Sequence, residues 1–260
     1  MHFPMVNENY YANTPIEDLI AKSIEFVSGV KSIQELDASM VPECQDIEVY
    51  TLLQAVYHAR HQAIIWKEFD EVTERLKCEL TAPGMLERFL AAAEGSFGPL
   101  RQISARYILL WKLPDYQNIY KKLLRDDDQF VRASVCEYLG VIPIETLFED
   151  LLDLALADEF WMVRSYAAKA LQHCKTPEAV QVLLDVLEYD NERDDQYVTP
   201  EAASLSAAEA LEKILGTEWI HEHLENGDIT RRVGGPDLKS LKLDAINYLK
   251  RMRLDGDKHA

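Results

Sequence analysis

The strongest constraint on this chain is that it matches itself. Asp126 to Leu139 reads DDDQFVRASVCEYL, and 32 residues later Asp158 to Leu171 reads DEFWMVRSYAAKAL. Asp126 aligns with Asp158, Val131 with Val163, Arg132 with Arg164 and Leu139 with Leu171. A fixed offset of this size means stacked units, because one helical hairpin cannot bury its apolar face alone and its neighbours must complete the core. Each unit reads as helix, turn, helix. With 48% hydrophobic residues the chain has enough apolar side chains for a continuous core.

Helix signals continue on both sides. Thr14-Pro15 opens a helix with Ile16, Leu19, Ile20, Ile24 and Val27 as its stripe. From Asp46 to Leu80 the period stays helical, with Leu53, Tyr57, His61 and Ile64 on one stripe, until Pro83-Gly84 breaks it. Met85 to Glu94 and Leu100 to Leu109 form the first hairpin. Ile119, Leu123 and Leu124 face inward before the Asp126 turn, and Leu147, Leu151, Leu152 and Leu156 precede the Asp158 turn. Thr176-Pro177 opens a fourth unit with Val180, Leu183, Leu184 and Leu187 inside. Its second helix, Ser204 to Leu215, comes 40 residues after its counterpart instead of 32. The extra residues form an acidic insertion, Glu188 to Glu201. A last amphipathic helix spans about Leu238 to Met252, with Leu241, Ile246 and Leu249 inward. The expected organisation is an N-terminal helical cap over 1–83, repeats over 84–216 and a C-terminal helical cap over 217–260, in one continuous domain.

At Asp126…Val131-Arg132 and Asp158…Val163-Arg164 the chain resembles the HEAT-repeat superfamily, in the short form also found in phycobilin lyases. The resemblance implies an all-α, right-handed α-solenoid of helical hairpins whose second helices line the concave face. It also implies a structural ladder of Asp126, Arg132, Asp158 and Arg164. In that ladder the carboxylate caps the second helix and pairs with the arginine of its own or a neighbouring repeat. Two units depart from the pattern. Arg101 has Gly95 where the Asp belongs, which leaves that arginine freer to bind something else. The last unit has Ser204 and Val198 at the Arg and Asp positions.

Charge narrows the function. The formal net charge is −18, and residues 141–216 carry 16 acids against 5 bases, −11. Such a field repels phosphate backbones and anionic membranes and attracts basic partners. The insertion holds Asp190, Glu192, Asp194 and Asp195, with Tyr189 and Tyr197 among them. It reads either as a solvated loop or as an electrostatic hook for a basic protein. Trp161, beside Phe160 in the second turn, reads either as packing between turns or as an aromatic anchor.

Catalytic signatures are weak. His58 and His61 share a helix face without a third metal ligand, and His221-Glu222-His223 is a single pair outside the best repeats, so no metal or cofactor is expected. The four cysteines form no C-x-x-C pair, which fits a reducing cytoplasm, and neither a secretory signal nor a spanning segment is expected at the start or elsewhere. The expectation is a non-enzymatic module binding another, basic protein, for example an immunity-type inhibitor of a cationic nuclease toxin. The alternatives are a chromophore-lyase-like or DNA-glycosylase-like enzyme or subunit, and a general assembly scaffold. A glycosylase would need a basic groove for its duplex, which this charge disfavours.

Overall fold

The computed structural model describes residue 46, residues 48–50, 52–54 and 56–57, and the runs 68–189, 202–217 and 236–256. Its described elements are all helical: α1 Glu68–Leu80, α2 Met85–Ala92, α3 Gly98–Leu110, α4 Tyr116–Leu123, α5 Gln129–Val141, α6 Phe148–Ala157, α7 Trp161–Ala170, α8 Pro177–Tyr189, α9 Ala202–Leu215 and α10 Pro236–Gly256. Contacts divide the chain into two compact units, 1–113 and 114–260. The division falls after the first hairpin, α2/α3. The helix expected from Thr14 lies outside the described residues, as do His58, His61 and His221–His223.

In the first unit, helical residues 48–50, 52–54 and 56–57 include the buried Val49, Leu52, Leu53 and Val56. Tyr57, expected on that inward stripe, is exposed, and the Arg106 guanidinium lies 5.0 Å from its ring centroid. A cation over an aromatic face gains from the ring quadrupole while the charge stays hydrated. Gly84 supplies the positive φ (83°) that ends the Pro83-Gly84 break and starts α2. Pro99 stands at the start of α3, where its missing N–H costs nothing.

The second unit is a stack of hairpins, α4/α5, α6/α7 and α8/α9. The second helices α5, α7 and α9 lie side by side, and α6 packs on α8. Small side chains explain the close approach: Ala167, Ala168 and Ala170 of α7 and Ala203, Ala207, Ala208 and Ala210 of α9 are buried. A Cβ on Gly140 of α5 would sit 3.8 Å from the Ala170 backbone. Ser165 and Ser206 share a hydrogen bond of 2.9 Å between α7 and α9. At the far ends of these helices, Gln172 Nε2 donates to the Gly140 carbonyl at 3.0 Å and His173 Nε2 lies 2.9 Å from it. Lys213 reaches Gln172 from the next repeat.

The expected inner faces of α4 and α8 are buried at Ile119, Leu123, Leu124, Val180, Leu183, Leu184 and Leu187. Leu156 is partly exposed, because Ala155 takes the inward place at the end of α6. On α10, which packs on α8 and α9, Leu241 and Leu249 are buried but Ile246 is exposed, with Ala245 inward in its stead. Two adjacent residues lie 100° apart on a helix, so a stripe extended across two turns readily picks the wrong neighbour.

Candidate interaction surface

The turns that join first to second helices are built the same way in both matched repeats. Asp126 Oδ1 accepts the N–H of Asp128 at 2.8 Å, and Asp158 Oδ1 accepts that of Phe160 at 2.8 Å. Both are side-chain-to-backbone bonds two residues on, which hold the chain in its turn. The expected helix cap is therefore displaced. Asp128, not Asp126, is the N-cap of α5, with its carboxylate accepting from Phe130 N at 2.8 Å. The N-cap of α7 is Phe160, which has no side-chain cap bond.

The arginines act in two directions. Backward, Arg132 Nη1 donates to the carbonyl of Asp126 at 2.7 Å, and Arg164 Nη1 to that of Asp158 at 3.0 Å. Arg101 does the same, donating to the Gly95 carbonyl at 2.8 Å. Arg101 is thus engaged, contrary to the expectation that its lost carboxylate frees it: its partner is a backbone oxygen, which every residue type provides. Forward, Arg132 forks onto the neighbouring repeat, with Nε to Asp158 Oδ2 at 2.8 Å and Nη2 to Asp158 Oδ1 at 3.0 Å. The ladder pairing therefore runs from one repeat to the next, and the own-repeat contact is to the backbone.

These groups sit in low dielectric. The Arg132 and Asp158 side chains are 11% and 5% exposed, and Arg164 is buried. The bonds that Arg132 donates to Asp158 hold its guanidinium above its ordinary range, against the pull of burial. Nearby, burial and then the negative charge of Asp158 push the Cys136 thiol far up, so it stays protonated and inert. The side chains of Arg132, Asp158 and Arg164 are thus engaged within the stack.

Exposed acidic side chains stand outside the ladder. The first helices α6 and α8 carry Glu149, Asp150, Asp153, Glu178, Asp185 and Glu188 and no lysine or arginine. Glu149, Asp153, Glu178 and Glu188 are exposed, while Arg125 pairs with Asp150 at 2.9 Å and Gln181 with Asp185 at 3.0 Å. Trp161 begins α7 half-buried, its ring 6.0 Å from that of Phe160. Tyr189 ends α8. The rest of the expected hook, Asp190, Glu192, Asp194, Asp195 and Tyr197, lies outside the described residues. Sequence alone does not separate the acids bound into the turns from those exposed on α6 and α8, because both are the same residue types.

Among the described residues no group of three or more His, Cys, Asp or Glu is placed to hold a metal ion. No described helix is long and apolar enough to cross a membrane. Residues 117–205, from α4 into α9, match the family model of HEAT repeats. No curated protein matches the sequence significantly.

Proposed function

From a chain that carries HEAT repeats over residues 117–205, a helical scaffold suited to protein interaction, we propose a non-enzymatic module that captures a basic protein on an acidic surface. The observation that carries this reading is the one-signed charge of the adjoining first helices α6 and α8, set in a chain of net charge −18. In sequence the acidic run continues after Glu188, where Asp190, Glu192, Asp194 and Asp195 would add to the same charge and Tyr189 and Tyr197 would offer contact side chains. In the sequence the insertion lies between α8 and α9.

An immunity-type inhibitor of a cationic nuclease toxin is the concrete form. Carboxylates would occupy the nucleic-acid site of the toxin, and opposite charges would speed capture and make it salt-sensitive. The test is to recover the basic protein that salt releases from the immobilised chain and to assay its nuclease activity with the chain added back. Stoichiometric inhibition that weakens with salt supports the reading. A partner that is not basic, or inhibition untouched by neutralising the α6/α8 acids and Asp190 to Asp195, overturns it.

A further inference from the structure

A second row of side chains follows the turns of the 114–260 unit, outside the Arg132–Asp158 fork. Phe130, on the first turn of α5, meets Phe160 edge-on with ring centroids 5.4 Å apart, and Phe160 lies 6.0 Å from Trp161. Three rings from two repeats thus form one patch. Phe130 is 53% exposed, which burial alone would not favour for so large an apolar side chain.

The carboxylates of the same turns fall into two kinds. Asp126, Asp128 and Asp158 are spent on turn N–H groups, and Asp158 also on Arg132. Asp127 and Glu159 are exposed, stand at equivalent positions 32 residues apart, and form no ion pair among the described residues. Each repeat therefore sets one exposed carboxylate in a turn that also carries an aromatic residue, the charge of Glu159 acting on Arg132 as well.

We propose that this row docks arginine side chains of the basic partner on its one aromatic patch. This rests on the reading of the chain as a binder of a basic protein. The chemistry favours arginine. A planar guanidinium stacks on an aromatic face and donates a fork of N–H groups to a carboxylate, whereas a lysine ammonium is a strongly hydrated point charge. Nucleic acid is disfavoured because the exposed charged groups are anionic, and a purely apolar partner would strand both carboxylates against it.

The test uses the full chain and two fluorescein-labelled peptides, one with arginines spaced along a Gly/Ser backbone and one with lysines in their place. Anisotropy titrations are run on the wild type, on Phe130→Ala, on Asp127→Asn with Glu159→Gln, and on a variant with Asp190, Glu192, Asp194 and Asp195 all neutralised. Far-UV circular dichroism checks that each variant keeps its helices. The arginine peptide is expected to bind more tightly than the lysine peptide. Phe130→Ala should weaken the arginine peptide about fivefold and leave the lysine peptide within about twofold. The double neutralisation should weaken both peptides and flatten their salt dependence. If both row variants bind like the wild type while the neutralised insertion does not, the row is wrong and the acidic-surface reading stands. If neither peptide binds the wild type, both fail.

Discussion

Two arginine–aspartate forks, one in each unit, share a geometry and differ in surroundings. In the first unit, Arg88 places Nε 2.8 Å from Asp46 Oδ2 and Nη2 2.6 Å from Asp46 Oδ1, and adds Glu48 at 2.7 Å. In the second, Arg132 places Nε 2.8 Å and Nη2 3.0 Å from the two oxygens of Asp158. By distance alone the Arg88 clamp is the stronger. But the Arg88 and Asp46 side chains are 44% and 19% exposed, against 11% and 5% for Arg132 and Asp158. Water competes for the first pair and not for the second. Burial, more than bond length, decides what losing a partner costs.

The largest effect should follow from Asp158→Ala. It strands the Arg132 guanidinium and the Phe160 N–H together, and breaking a buried pair from one side costs about 3–5 kcal/mol. Urea unfolding measures the total. Cys136, buried in α5, localises it: peptide mapping after thiol labelling should show faster modification of Cys136 in this variant, with exposed Cys78 unchanged. An unchanged Cys136 rate would mean that the fork does not hold α5 and α7 together.

Arg132→Lys comes next, at about 2 kcal/mol. Lysine keeps the charge but cannot both fork onto Asp158 and reach the Asp126 carbonyl. A double-mutant cycle with Asp158→Asn isolates the pair. A coupling near zero would place the worth of Arg132 in its backbone clamp. That clamp was the part hidden from the sequence. The 32-residue offset exposes Asp126, Arg132, Asp158 and Arg164 because side chains repeat in type. The acceptors for Arg101, Arg132 and Arg164 six residues back are carbonyls, which carry no residue signature, so Gly95 looked like a loss when it was none. The aromatic patch was hidden for another reason. Phe130 and Phe160 stand 30 residues apart at positions that are not equivalent in the repeat, and only packing α5 against α7 brings them together.

Arg88→Ala should cost at most about 1 kcal/mol, since exposed ion pairs are screened and hold two mobile side chains. Its pH dependence has a definite sign. Burial raises the Asp46 carboxyl, but the Arg88 bonds and the Val49 N–H outweigh it, and the net position is below the ordinary carboxylate value of 3.8. A carboxyl lowered by folding stabilises the folded state above its unfolded value and loses that contribution as pH falls through its folded value. The stability gap between wild type and Arg88→Ala should therefore be flat near neutrality and close in acid below the ordinary value. It should also shrink with salt. A gap that widens in acid would assign the effect to some other group.

The smallest effect sharpens the comparison from the side of packing. Gly140 sits one residue from the end of α5, facing α7, and its carbonyl accepts from Gln172. An added Cβ would meet Ala170 atoms at 3.8 Å and beyond, which is ordinary van der Waals contact, and no positive φ is recorded there. Nothing in this geometry therefore requires glycine, although so close a helix pair suggests that it does. Gly140→Ala removes backbone freedom from the unfolded chain at little steric cost, so it should be neutral or stabilising by at most about 1 kcal/mol. Urea midpoints of the two proteins decide it. A loss beyond about 1 kcal/mol would mean that α5 and α7 approach more closely than the ladder bonds require. The seam between the repeats would then be limited by steric fit, and the buried fork would be holding two surfaces already in full contact.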